Sequence, residues 1–284
     1  MNSLKVALMM LVLMALFMGV GYLVGGQGGM LIAFVLATVM NFASYWYSDK
    51  MVLKMYRAKE VFEADHPLLY RVVKRVATQA MIPIPRVYVV PSRAPNAFAT
   101  GRNVEHAAVA ASQGLLEILN EDELEGVIGH EMAHIRNKDM LIGTIAATFA
   151  GAIGILASIA RWGAIFGGYG GNDRRGGGIG LLAAAIVAPL VAIVIQTAIS
   201  RQREYKADAE GGRITGKYMA LASALEKLHR SPVRMNLDSR PGTANLMIMN
   251  PLSGRGFSSL FSTHPPVEKR IERLRELAAQ GFYS

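Results

Sequence analysis

Three side chains within five positions, His130, Glu131 and His134, carry the first chemical signal of this chain. They spell H-E-x-x-H inside "GVIGHEMAHIRNKDM" (residues 126–140). On a helix, positions four apart differ by about 40° of rotation and one turn, so both imidazoles can reach one ion. Glu131 points about 100° round from His130, near that ion but placed to hold a water rather than bind directly. Zinc lowers the pKa of its water towards ~7, and a neighbouring glutamate can take the proton. Two histidines are still an incomplete site. The chain contains no cysteine, so any further ligand is nitrogen or oxygen, and disulfides and thiolate nucleophiles are excluded.

"SRQREYKADAEGG" (200–212) offers what is missing. Glu204 and Asp208 are four apart and share a helix face. One carboxylate can complete a His₂-carboxylate site with an open position, while the other orients a ligand imidazole. On its own this stretch reads as a solvated charged face; beside two histidines lacking a partner, it reads as the rest of the centre.

The elements that must bring these clusters together include membrane spans. Hydrophobic residues make up 52% of the 284 and charged residues 18%. Runs 6–28, 29–48, 141–160 and 176–200 contain no Asp, Glu, Lys or Arg, and each supplies the roughly 20 residues that cross a bilayer. Lys5 ahead of "VALMMLVLMALFMGV" suggests a signal peptide, but no small-x-small cleavage site follows, so a retained hairpin turning at "GGQGG" (25–29) is expected. Gly21 and Gly25, and Gly143, Ala147 and Gly151, have the small-residue spacing of close helix contacts. The net charge of +9 is unevenly placed: 12 of 30 Lys and Arg lie in 49–140 and 14 in 200–284. That bias places both polar segments in the cytoplasm and favours contact with anionic lipid; the loop 161–178, with Arg161, Arg174 and Arg175, is then outside, unless the third and fourth runs form a hairpin that does not fully cross. No recognition motif accompanies the basic charge, so no nucleic acid is expected.

The organisation is therefore a hairpin of two spans (1–48), a first catalytic segment (49–140), a second hairpin (141–199) and a second catalytic segment (200–284). Residues 49–85 read as helical, stopping at "IPIP". "RVYVV" (86–90), "NAFATG" (96–101) and "HAAVAAS" (106–112) read as strands of a small sheet. Asn120 with Glu123 forms a capping box that starts the H-E-x-x-H helix. Residues 234–266 read as a long loop, and "VEKRIERLRELAAQ" as an amphipathic helix with Ile271, Leu274 and Leu277 on one face.

"GHEMAH" with "SRQREYKADAEG" resembles the HtpX family of bacterial membrane zinc endopeptidases, relatives of the CAAX prenyl proteases. The resemblance covers essentially the whole chain. It implies an α+β membrane protein, mainly helical, with about four transmembrane helices and a zincin-like cytoplasmic catalytic domain holding a small β-sheet. It assigns one Zn²⁺ per chain to His130, His134 and Glu204, the general base to Glu131, and support to Asp208. "PNAFATG" (95–101) resembles the substrate-binding strand, with Asn96 and Phe98 as its contact residues. "THPPVEKRI" (263–271) resembles the H-P-x-x-x-x-R element, in which His264 and Arg270 would steady the developing oxyanion. The implied activity is quality-control proteolysis of membrane proteins and misfolded polypeptides at the bacterial cytoplasmic membrane.

Three other readings compete. An intramembrane protease would set the motif within an apolar span, whereas Glu121, Asp122, Glu123, Glu125, Arg136, Lys138 and Asp139 surround it here. A non-proteolytic scaffold with structural zinc has no use for Glu131. A prenyl-processing protease would need more than four spans to enclose a lipidated tail. Nothing in the sequence specifies an oligomeric state, and the remaining histidines His66, His106 and His229 have no partner pattern.

Overall fold

"RVYVV" and "HAAVAAS" lack the polar alternation of a half-exposed strand, the pattern of strands buried on both faces. In the computed structural model, which describes residues 2–142, 201–232 and 265–281, they form β2 (Arg86–Val90) and β4 (Ala107–Ser112). These two run parallel; β1 (Lys59–Glu60) lies antiparallel outside β2, and β3 (Ala97–Gly101) antiparallel outside β4. The order β1-β2-β4-β3 makes β3 an edge strand. Strand periodicity then sorts the side chains. Val87, Val89, Ala97, Ala99, Val109 and Ala111 face the main core, while Tyr88, Val90, Phe98, Ala108 and Ala110 face Val52, Leu53 and Tyr56 of the first helix.

That helix, α1 (Asn2–Met55), is broken at Gly25 and Gly26 into two limbs. The limbs fold back on each other: Asn41 Nδ2 donates to the Met10 carbonyl at 3.1 Å. The expected hairpin is there, but its tight contact is not a Gly21–Gly25 face. Gly21 packs across the turn on Gly29 and Ala33, while Gly25 has open space around it. The second limb includes 23 residues, Gly25–Tyr47, long and apolar enough to cross a membrane. At 1.5 Å per residue they span about 34 Å, against a hydrocarbon core of ~30 Å. Leu31, Ile32, Val35, Val39 and Phe42 are exposed on it. The first limb carries a shorter apolar helix, Val6–Gly19. The runs expected at 141–160, past Ile142, and at 176–200 lie outside the described residues, as do the 161–178 loop and nearly all of 234–266.

The helix expected over 49–85 is interrupted. α1 stops at Met55, residues 59–60 join the sheet, and α2 (Pro67–Ala80) begins afresh. Proline sets where α2 begins: it suits the first helical turn but excludes helical geometry from the residue before it. His66 accordingly sits at φ −138° and ψ 74°.

α3 (Gln113–Ile118), α4 (Glu121–Arg136), α5 (Arg201–Thr215), α6 (Tyr218–Arg230) and α7 (Val267–Gly281) complete a mainly helical fold around the small mixed sheet. Ile271 and Leu274 of α7 are buried in the main core, as its periodicity predicts. α4 starts with the expected capping box: Asn120 Oδ1 accepts from the Glu123 amide and Glu123 Oε2 from the Asn120 amide, both at 2.9 Å. The same carboxylate also accepts from Ser223 and Lys227 of α6, each at 2.7 Å. Glu123 thus starts one helix and ties it to another.

Burial raises the Glu123 pKa, but Lys227, the Asn120 amide and Ser223 outweigh it and hold the group below its ordinary value. A depressed carboxylate contributes stability that is complete above its unfolded pKa and lost as pH falls through the folded one. The wild type should therefore lose thermal stability in detergent as pH drops below 4.5. Glu123→Gln should start about 1–2 kcal/mol less stable at pH 7 and show a smaller acid-dependent loss. Melting curves from pH 7 to pH 3 check both.

Candidate metal centre

Two helices from opposite halves of the chain build the centre. α4 carries His130 and His134 on one face, and α5 brings Glu204 against them. The two Nε2 atoms are 3.2 Å apart; Glu204 lies 3.7 Å from His130 Nε2 and 3.6 Å from His134 Nε2. Ligand atoms of all three lie within 4.8 Å of one another. Three donors held ~2.1 Å from one tetrahedral ion would be about 3.4 Å apart. The triad fits such an ion.

Charge points the same way. The carboxylates of Glu131, Asp139, Glu204 and Asp208 are all buried here. They face two guanidinium groups, Arg270, which is buried, and Arg203, which interacts with Asp139 and Glu204. Carboxylates outnumber guanidinium groups around the triad, an arrangement suited to a cation. Burial works to lower the His134 pKa, yet Asp139, Glu204 and Glu131 outweigh it and push it up to about 9. The site draws in a positive charge, and that is what a cation site needs.

The carboxylate one turn beyond Glu204 does the orienting. Asp208 Oδ1 lies 2.9 Å from His130 Nδ1, which turns the Nε2 lone pair towards the triad. Arg270 of α7 grips Asp208 with two bonds, Nε to Oδ2 at 2.7 Å and Nη2 to Oδ1 at 2.6 Å. Burial raises the Asp208 pKa, but Arg270 and then His130 outweigh it and keep the group ionised. Arg270 therefore sits behind the histidine with its fork committed to Asp208, rather than free to face substrate. Its Nη1 is 3.8 Å from Glu204.

Glu131 is buried beside the triad, and its Oε2 accepts from the Ala99 amide of β3 at 2.8 Å. The edge strand thus abuts α4. Asn96, at the foot of that strand, is buried; its amide donates to Ser112 Oγ at 2.8 Å. Phe98 points away, its ring centroid 4.8 Å from that of Tyr56 on the far face of the sheet. His264 lies outside the described residues, although the adjacent Pro265 is buried.

Sequence reasoning missed three supports. Asp139 Oδ2 approaches His134 Nδ1 at 3.7 Å. The Ala99 amide, a backbone group, has no sequence signal. Gly129 and Gly211 let α4 and α5 touch: a Cβ on Gly211 would lie 2.6 Å from the His130 amide nitrogen, and one on Gly129 would lie 2.9 Å from the Gly211 carbonyl. Glycine inside a helix is unfavourable without such a reason, and that was the available clue.

Comparison with known proteins follows this geometry. Residues 63–278 match the profile of peptidase family M48. The chain is 54% identical over 275 residues to a protein named Protease HtpX homolog from Desulfatibacillum aliphaticivorans, covering 96% of this chain and 89% of that one. It is 55% identical over 278 residues to the protein of the same name from Pyrococcus furiosus, covering 97% and 96%. Among solved structures, S. mikatae Ste24p has a TM-score of 0.54 at 16% identity; the match covers 92% of this chain and 61% of that one, and it shows a shared fold.

Gly211→Ala should force α5 away from His130 and misplace Glu204. We expect a stability loss of about 1–3 kcal/mol and at least a tenfold weaker metal affinity. Gly216→Ala, beyond the helix contact, should leave affinity unchanged. Metal titration against a chelator in detergent reads both.

Proposed function

The chain belongs to peptidase family M48, in its HtpX group, and is a membrane-associated metalloprotease; from that premise we propose a zinc endopeptidase acting in membrane-protein quality control. The convergence of His130, His134 and Glu204 beside Glu131 carries this reading. These three residues would hold one Zn²⁺, which when bound polarises a scissile carbonyl and acidifies a water.

The chain's own groups do the rest. Glu131 takes the water proton at Oε1, the oxygen not held by Ala99, and passes it to the leaving amine. Asp208 and Arg270 fix the tautomer and tilt of His130. The oxyanion falls to His264, with Arg270 adding the field of its buried charge. β3 is the substrate strand. The Ala99 amide points away from β4 and is held by Glu131, which leaves the Ala97 backbone groups and the Ala99 carbonyl on that outer edge for an extended peptide to add as a further strand with little sequence demand. Asn96 steadies the peptide backbone at one end, and Phe98 seats the strand by packing on Tyr56.

α4 and α5 pack together although runs 141–160 and 176–200 separate them in sequence. That packing supports reading the two runs as a pair of spans that returns the chain to one face, which with the α1 hairpin would make four. The Lys and Arg distribution makes that face cytoplasmic. Leu141 and Ile142, just beyond the catalytic helix, pack on Val6, Met9 and Leu13 of the first limb. Substrates are cytoplasmic loops of damaged membrane proteins and misfolded polypeptides brought to this surface.

Glu131→Gln should bind metal stoichiometrically yet cleave a model membrane protein about 10²–10⁴-fold more slowly. Undiminished cleavage would remove Glu131 as the base, and a metal closed off by four protein ligands would indicate a structural site instead. Ala99→Pro should keep fold and metal, because its amide is outside the β4 ladder and proline is tolerated on an edge strand. Losing the grip on Glu131 should lower kcat about 10–100-fold.

A further inference from the structure

The catalytic reading does not use the basic cavity where α1 meets the sheet. It has a volume of about 590 Å³ and is lined by Lys50, Leu53, Lys54, Arg57, Arg86 and Tyr88, among others. Two of its cations, Lys50 and Lys54, belong to α1, Arg57 follows the end of that helix, and Arg86 belongs to β2. The negative groups facing it are Asp49, 2.8 Å from Arg86 Nη2, and Glu60, which accepts from the Tyr88 hydroxyl at 3.1 Å. Among the described residues, Lys50, Lys54 and Arg57 form no ion pair with a carboxylate; Lys50 sits 5.6 Å above the Tyr47 ring. The cavity therefore keeps an excess of positive charge, open to solvent.

Its position gives that charge a use. Gly25–Tyr47 ends in Tyr45, Trp46 and Tyr47, aromatic residues of the kind that settle at headgroup level, and the Arg102 guanidinium covers the Trp46 ring at 4.6 Å. Lys50 lies about 4.5 Å and Lys54 about 10.5 Å further along the helix axis, at or just beyond a headgroup layer ~5–8 Å deep. The backbone fixes where Arg57 stands. Arg57 holds φ +54° where α1 ends, with its amide donating to the Lys54 carbonyl at 3.0 Å and the Ala58 amide to that of Leu53 at 2.9 Å. Glycine is the usual residue at such a cap. Met81 and Lys138 hold the same conformation after α2 and α4, so at Arg57 it is a helix-end feature that fixes where the cation stands.

We propose that this cavity binds the phosphate headgroup of an anionic phospholipid, clamping the end of α1 and strand β2 to the membrane surface. The site rests on the reading that Gly25–Tyr47 crosses the bilayer. A phosphate between Lys54, Arg57 and Arg86 bridges the membrane helix to the sheet whose other edge is β3. Lipid composition then bears on how firmly the protease domain is held to the membrane. A freely soluble phosphate would gain the same charge contacts but not the anchoring acyl chains.

The test uses the full chain in detergent, titrated with phosphatidylglycerol or phosphatidylcholine, with retained lipids counted by native mass spectrometry. The wild type should retain one phosphatidylglycerol about 10–30-fold more strongly than phosphatidylcholine. Lys54→Gln with Arg57→Gln should abolish that preference, while Arg71→Gln with Lys74→Gln, exposed on α2, should leave it intact. Arg57→Gly should raise the thermal midpoint, by relieving the strained cap, and still weaken lipid retention; a rise with full retention would overturn the proposal. Equal losses in the α2 pair would reduce the effect to diffuse charge, and displacement of the lipid by millimolar glycerol phosphate would assign the cavity to a soluble ligand. Either result overturns the site. Extraction of the chain from native membranes by alkaline carbonate would remove the span and the site together, whereas a failed lipid preference in carbonate-resistant protein removes the site alone.

Discussion

Backbone contact between α4 and α5 at Gly129 and Gly211 is the constraint on which the centre depends. An imidazole reaches only a few ångströms from its helix and a glutamate little further. Two helices at the usual 8–10 Å separation can share an ion only when nothing bulky stands between them at that level. Removing both Cβ atoms where the axes meet brings Glu204 to within 4 Å of both histidines. The helix cost of two glycines, about 1 kcal/mol each, is offset by packing across the contact and by the interactions it permits.

With the helices set, the electrostatics become one connected system. Arg270 fixes Asp208, Asp208 fixes His130, and Asp139 stands behind His134, so each ligand imidazole has a carboxylate at its far nitrogen. Such an arrangement makes both rings better electron donors and limits their rotation. Ionised carboxylates so close together in a buried site repel one another strongly and are tolerated only with compensating positive charge. Arg270 and Arg203 compensate in part, and a bound cation would add to them. α7 is therefore part of the centre even though its helix carries no ligand.

How much of this the sequence discloses depends on the range of each interaction. The H-E-x-x-H spacing and the capping box of Asn120 and Glu123 are local, because helical geometry alone relates their members, and both are visible without a fold. The Glu204 and Asp208 pair is local as well, but their roles become distinct only through partners far off in sequence: Glu204 faces His134, and Asp208 faces Arg270 from a helix 62 residues away. The side of the sheet that Phe98 faces follows from strand pairing, so its burial against Tyr56 could not be read from "PNAFATG". Gly21 shows the same limit. Its spacing to Gly25 suggested a helix face, but the helix breaks at Gly25 and Gly26, and the returning limb sets Gly21 against Gly29. The break at His66 was legible in principle, since Pro67 forbids the helix that apolar periodicity favours.

The membrane helix is coupled to the chemistry along two packed routes. One runs from Val52, Leu53 and Tyr56 through Phe98 to β3, and so to the amide of Ala99 that holds Glu131. The other runs from Val6, Met9 and Leu13 through Ile142 back to Asp139 and the end of the catalytic helix. Packed interiors transmit displacement because they compress little. A shift of either limb of α1 therefore acts on Glu131 through one route and on His134 through the other. An enzyme arranged this way has its bilayer anchor built into the positioning of its active site, and a metal-binding motif at the threshold of an apolar run is what that coupling requires.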